Sequence, residues 1–207
     1  RAISLILVFY SVNYALSPIF NAIGTNLYHM TTTQVSLHIV WAFVVAAVVG
    51  TCSGMIIRRI GIKAGLVTAG TLMFVGWTGA AFCINAGFVV LTLWACVFYA
   101  GCGMMYSPIV STVLGTIEKD ESGRGVGMND LAMNVSPSIG IAIIGSLLGS
   151  NALGGGSITG ATGTAANYSN LMLIAGATAL LGLIVFFCFR KKIYEGNHAV
   201  ETEKAAK

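Results

Sequence analysis

Polar side chains recur at helical spacing inside segments that are otherwise apolar, and they are the residues that could handle a solute. In the first segment, Tyr10, Tyr14, Ser17 and Asn21 follow at intervals of four, three and four residues, with Asn13 alongside. In a helix this spacing places them on one face. Aromatic faces with neutral polar tips suit bulky amphipathic compounds. The pattern favours a solute route, and hydrogen bonding between packed helices is the alternative.

A second polar face occurs in the fifth segment, where Asp130, Asn134 and Ser138 recur every four residues. Tyr106 in the fourth segment belongs to a looser polar set. Asp130 is the only acid inside any apolar segment, so it is a candidate for taking up a proton or meeting a cationic solute. The alternative is an acid near a helix N-terminus, favoured by the helix dipole and wetted by headgroup water.

Enzymatic chemistry has little support. The histidines are His29, His38 and His198, without an HExxH motif or paired carboxylates in the apolar segments. The five cysteines lack metal-ligand spacing, and no basic stripe with interleaved aromatics indicates nucleic-acid binding. We therefore expect neither an enzyme nor a resident metal or cofactor. His38 with Trp41 is either a titratable gate or part of an interfacial aromatic belt.

Six apolar segments carry these residues, and each is long enough to cross a bilayer, which takes about 20 residues. Only 9% of the 207 residues are charged and 56% are hydrophobic, which excludes an ordinary soluble domain. The sequence predicts an all-α integral membrane protein. Its predicted helices cover residues 2–24, 33–57, 62–84, 88–116, 125–148 and 168–189, forming one transmembrane domain over 1–190. Residues 191–207 form a polar cytoplasmic tail.

All eleven Lys and Arg residues lie before the first segment, in alternate connections, or after the sixth. Because cytoplasmic loops collect Lys and Arg, both termini are expected in the cytoplasm. The helices then divide into two triplets that enter the membrane from opposite sides, which is the geometry of an inverted repeat.

Capping residues, prolines and small residues add detail to the predicted helices and loops. Thr31 and Gln34 predict a capping box at the start of the second helix. Pro18, Pro108 and Pro137 lie inside the first, fourth and fifth helices, where each removes a backbone hydrogen bond. Residues 149–166 are rich in Gly, Ser, Thr and Ala, which predicts a flexible loop.

Three stretches resemble a known family. Residues 125–145, beginning Gly-Val-Gly-Met-Asn-Asp-Leu-Ala-Met-Asn, resemble the eleventh core helix of major facilitator superfamily drug exporters. The fourteen-helix drug:proton antiporter branch, with its Gram-positive tetracycline exporters, is most similar. Tyr168-Ser-Asn-Leu-Met-Leu resembles the start of its last span. Gly54, Arg58, Arg59 and Gly61 are similar to the cytoplasmic loop motif Gly-x-x-x-Asp-Arg-x-Gly, although Arg58 stands at the acidic position.

This resemblance implies the C-terminal six-helix half of a transporter, with the first, second, fourth and fifth helices lining a cavity and the third and sixth bracing it. It implies proton-coupled efflux of drugs or amphipathic compounds by alternating access with a missing N-terminal half, in a bacterial plasma membrane. A metabolite transporter of the same superfamily and a non-transporting six-helix scaffold are the alternatives.

Overall fold

The computed structural model describes residues 15–115, 122–150 and 152–205, and these ranges contain helices and no strand. The described helices are α1 (Leu16–Asn26), α2 (Thr32–Ile60), α3 (Ile62–Phe82), α4 (Phe88–Gly115), α5 (Ser122–Ser150) and α6 (Thr164–Ala205). The predicted all-α class is confirmed for this part of the chain. Most of the predicted first span lies outside the described residues.

Five of these helices have the length and composition to cross a membrane. The qualifying stretches are Thr32–Ile60, Ile62–Phe82, Phe88–Ser111, Gly123–Ser150 and Thr164–Cys188. The described part of α1 has 11 residues and is shorter than a span.

Local sequence explains where α2 begins and ends. The predicted capping box is confirmed, because the Thr31 hydroxyl accepts from the Gln34 N–H at 3.4 Å and the Gln34 side chain accepts from the Thr31 N–H at 3.0 Å. At the other end, Gly61 alone separates α2 from α3, with φ +85°, a conformation that favours glycine. Arg58 and Arg59 therefore lie in the last helical turn, where cations complement the helix dipole.

Helix α4 packs between α2 and α3, and glycines allow the close approach. A Cβ at Gly103 would meet the carbonyl oxygen of Ala46 on α2. A Cβ at Gly101 would lie 2.7 Å from the carbonyl oxygen of Ala69 on α3, which is closer than real Cβ contacts allow. The small residues on these two faces of α4 thus set the positions of both neighbours.

The apolar core lies where α3 meets α4 and α6. Trp77 is fully buried, and its ring packs on Phe98 with centroids 5.1 Å apart. On the α6 side, Gly176 lies against Trp77 and Thr78. Helix α5 packs on α4 and α6 more sparsely, so it is the most loosely held of the long helices.

The last helix is longer than predicted. The sequence predicts that the last span ends near residue 189 and that a polar tail follows; in the structure the backbone is helical over Thr164–Ala205, so the helix continues into the tail. Residues such as Glu201, Lys204 and Ala205 have good helix propensity, so the polar composition of the tail did not exclude helix.

Candidate functional site

The polar face predicted on the first helix lies only partly within the described residues. Tyr10, Asn13 and Tyr14 fall outside them. Ser17 and Asn21 lie one turn apart on α1, and both are half-buried. The Asn21 carbonyl accepts from the Thr25 hydroxyl at 2.8 Å, so this hydrogen bond stays inside α1. The described structure thus contains only the second half of the predicted face, and it is half-buried on α1.

The predicted stripe on α5 is exposed in this chain. Asn134 donates to the carbonyl oxygen of Asp130 at 2.7 Å, and Ser138 donates to the carbonyl oxygen of Asn134 at 2.9 Å. Both hydrogen bonds run along the helix, and among the described residues neither crosses to a neighbour. Among the described residues, the stripe therefore does not join α5 to another helix.

Asn129 is a buried polar residue that the sequence reasoning missed. It is 3% exposed, and its amide donates to the Met133 sulfur at 3.2 Å and, at 3.5 Å, to the side chain of Asp130. Its Oδ1 has no hydrogen-bond partner among the described residues. A helical stripe with Ala132 and Ser136 could have revealed it, since both are also buried. Helix α5 thus carries an amide on its bundle side directly beside the exposed acid.

Helix α4 presents Tyr106 at the surface with 55% of the side chain exposed. Two residues later comes Pro108, which lacks the N–H that would bond the Met104 carbonyl in a regular helix. Tyr99, from the same looser polar set, is instead buried, with ring centroids 4.8 Å from Phe43 and 5.2 Å from Phe98. Only Tyr106 of these two tyrosines is open to a solute.

The loop motif lies at the end of the bundle that contains the α2–α3 turn at Gly61, which we call the Gly61 end. Arg58 and Arg59 are both exposed there. Gly54 lies one turn earlier, and a Cβ at that position would meet open space within 4 Å. Of the two motif glycines, only Gly61 has a positive φ angle, a backbone conformation that favours glycine.

The opposite end, named the Gly87 end after the α3–α4 turn, holds an unpredicted hydrogen-bond network. The Tyr28 hydroxyl donates to the Ile84 carbonyl oxygen at 2.6 Å and accepts from the Gly87 N–H at 3.2 Å. Asn26 donates to the Tyr168 hydroxyl at 3.0 Å. These contacts fasten the end of α1 to the α3–α4 turn and to α6.

The α5–α6 loop is fastened at the same end. Ser169 of α6 is fully buried and donates to the Ala81 carbonyl oxygen at 3.0 Å. Its hydroxyl lies 3.2 Å from that of Ser157 and 2.7 Å from that of Thr159. Asn170 donates to two further loop carbonyl oxygens at 2.8 and 2.9 Å. Where the sequence predicts a flexible loop, side chains of α6 therefore hold the described part in place.

His38 packs at this end as well. Its ring meets Phe88 edge-on, with centroids 5.2 Å apart, and its Nδ1 lies 2.9 Å from the Gln34 carbonyl oxygen. Trp41, one turn further along α2, is 67% exposed. Among the described residues, no group of three or more His, Cys, Asp or Glu side chains could hold a metal ion.

Comparison with known proteins relates the chain to a protein family and to a solved structure. A family model described as Major Facilitator Superfamily matches residues 2–207. Among solved structures, the chain is similar to the xylose transporter XylE from E. coli in its inward-open conformation, with a TM-score of 0.67 and 13% sequence identity. That match covers 97% of this chain and 54% of the transporter, so this chain spans about half the length of that protein.

Proposed function

Because the chain belongs to the Major Facilitator Superfamily, we propose that it forms the C-terminal half of a secondary transporter that exports drugs or other amphipathic compounds in exchange for protons. Family membership and the apolar helices make it an integral membrane protein with a role in membrane transport. The direction, the coupling ion and the N-terminal half that completes the transporter are parts of the proposal. Alternating access then arises from rocking of the two halves about a shared site.

The observation that carries the proposal is the exposed polar stripe of α5. Asp130, Asn134 and Ser138 bond along their own helix and reach no other described helix. A carboxylate and an amide facing hydrocarbon would be costly, so polar residues in a span face the bundle interior or a water-filled route. In the complete transporter this side of α5 then borders the solute cavity.

The cavity side chains define the proposed substrate class. Tyr106 offers an exposed aromatic face, while Ser17, Asn21 and Asn134 offer neutral polar tips. Tyr10, Asn13 and Tyr14 complete the set by sequence spacing. Together these groups suit a flat or bulky amphipathic compound better than a small polar one. The acid at 130 adds a site for a proton or for a cationic group.

The distribution of charges supports the proposed orientation. The Gly61 end carries Arg58, Arg59 and Lys63, and Arg124 lies near the start of α5. We propose that this end faces the cytoplasm of a bacterial cell, with both termini and the 191–207 segment on the same side. Two inverted three-helix repeats, α1–α3 and α4–α6, are the topology consistent with that placement.

The test uses the full-length transporter in everted membrane vesicles, with ethidium as the transported probe and an imposed pH gradient as the driving force. Asp130→Asn removes the charge at nearly constant size, and Asp130→Glu is the matched control that keeps it. A hydrogen bond to a charged group is worth about 1.5–3 kcal/mol, so we expect an apparent affinity for ethidium lower by about tenfold or more. Gradient-driven uptake should be lost in the Asn variant and retained in the Glu variant.

Equal gradient-driven ethidium transport by wild type and Asp130→Asn, at matched membrane abundance, would refute the role of Asp130. Transport inhibited by a neutral metabolite but not by amphipathic cations would indicate a metabolite transporter instead. Vesicles in which the wild type moves no probe of either class would favour the non-transporting scaffold.

A further inference from the structure

A narrow apolar cleft separates α5 from α6 near the middle of both spans. It has a volume of about 100 Å³. On α5, the cleft is lined by about one and a half helical turns that follow Pro137. On α6, it is lined by one helical turn in the middle of the span. The lining residues are Ile139, Gly140, Ile143, Ile144, Ile174, Ala175 and Thr178.

The sequence explains why the two helices leave this space. Pro137 removes one backbone hydrogen bond of α5 just before the cleft, which favours a bend there. Gly140 and Ala175 then supply small side chains on opposite walls. Small residues normally let helices touch, but here the lining Ile side chains surround a gap rather than a contact.

The cleft offers nothing that would bind a polar solute. Thr178 is the only lining residue with a polar side chain, and its hydroxyl donates to the Ala175 carbonyl oxygen of its own helix at 2.7 Å. The threonine therefore adds a methyl group to the wall. An occupant must gain its binding energy from apolar contact alone.

The cleft opens away from the proposed cavity. Residues of a helix are separated by about 100° each, so nine residues place Ile143 on the side of α5 opposite Asn134. Ile139 and Ile143, at the edge of the cleft, are 52% and 57% exposed. The polar stripe and the open side of the cleft thus belong to different faces of one helix.

The adjoining surface of α6 is continuous with the cleft and is fully apolar. From residue 174 to residue 187 every exposed side chain of α6 is a hydrocarbon one. These are Ile174, Ala177, Leu180, Leu181, Ile184 and Phe187. Such a surface on a membrane span faces lipid, so the cleft is a recess in the bilayer interface of the protein.

We propose that this recess binds one acyl chain of a membrane phospholipid. A linear hydrocarbon chain is the available ligand at this depth, and a recess of this size takes a few of its methylene groups. By filling the gap, the chain adds apolar contacts between α5 and α6, where helix packing is sparse. The inference rests on the membrane location alone and does not depend on which compound is transported.

The test places the full-length transporter in nanodiscs that contain a phosphatidylcholine with a diazirine at mid-chain. After illumination, adducts are mapped by peptide mass spectrometry. We expect adducts on Ile139, Ile143 and Ile174 at several-fold the yield found on Leu181 and Ile184, two exposed apolar residues on the lipid-facing surface of α6. Thr178→Phe, which fills the recess, should remove that excess, and the size-matched control Thr178→Val should keep it.

Three results would overturn the proposal. One is equal labelling of the cleft and of Leu181 and Ile184, which means ordinary annular lipid. Another is an excess that survives Thr178→Phe in a variant that keeps wild-type abundance and monodispersity. The last is labelling that is abolished by millimolar ethidium in the wild type, which would assign the cleft to a transported compound.

Discussion

Replacing Ser169 by alanine should release the α5–α6 loop without unfolding the bundle. The Ser169 hydroxyl is the point where α6, the end of α3 and the loop residues Ser157 and Thr159 meet. The Ala81 carbonyl belongs to the last turn of α3, where carbonyl groups lack partners within the helix. The alanine variant leaves this carbonyl without its donor and leaves the loop without its anchor.

The expected magnitude follows from these contacts. One net intramolecular hydrogen bond contributes about 0.5–1.5 kcal/mol, and a buried acceptor left unsatisfied costs about 1–3 kcal/mol. Ser157 and Thr159 still bond to each other at 2.9 Å, and this limits the loss. We therefore expect the free energy of loop opening to fall by about 1–2 kcal/mol, which raises the open population by a factor of about 5–30.

Hydrogen exchange measures this opening directly. Peptides covering residues 152–163 of the full-length protein in nanodiscs should exchange faster in Ser169→Ala by that factor. The matched control is Ser36→Ala, because the exposed Ser36 hydroxyl donates only to the Thr32 carbonyl of its own helix, at 2.8 Å. Unchanged exchange of the loop in Ser169→Ala, or an equal change in both variants, would refute the anchoring role.

Two further substitutions test the packing and the Gly87 end. Gly103→Ala should lower the melting temperature, because overpacking at this close contact costs about 1–3 kcal/mol. The control Gly54→Ala should leave stability unchanged or raise it by up to about 1 kcal/mol, because alanine has the higher helix propensity and the site is open. Equal melting temperatures for the two variants would contradict the close crossing of α2 and α4. Tyr28→Phe removes two hydrogen bonds, to Ile84 and from Gly87, and should lower the free energy of unfolding by about 1–2 kcal/mol in denaturant titration. A Tyr28→Phe variant as stable as wild type would show that the hydroxyl does not hold α1.

The helices could be predicted because a bilayer imposes a strong pattern on sequence. A run of about 20 apolar residues, with Lys and Arg confined to alternate connections, leaves few alternatives to membrane helices. Local chemistry then fixed two boundaries, the Thr31 capping box and the Gly61 turn. Both depend on neighbours within three or four residues, which is the range that sequence reading covers well.

Contacts between distant residues could not be predicted in the same way. The stretch 149–166 is rich in Gly, Ser, Thr and Ala and carries no charge, which indicates flexibility when its own composition is considered alone. Its anchor, Ser169, acts through Ala81, which lies 88 residues away in the chain. Asn129 differs from these cases, because its local spacing with Ala132 and Ser136 does indicate a buried face.

Helix α5 has a polar exposed face and an opposite apolar face. One side carries Asp130, Asn134 and Ser138, which reach no other described helix, and the opposite side borders the apolar cleft to α6. Asn129 lies on the buried side of the helix, and its Oδ1 has no partner among the described residues. A helix with sparse packing and an unsatisfied buried acceptor can shift at low cost, because few native contacts oppose the movement. In the proposed transport role of Asp130, α5 is therefore the helix expected to respond first, while α3, α4 and their glycine contacts remain the fixed frame.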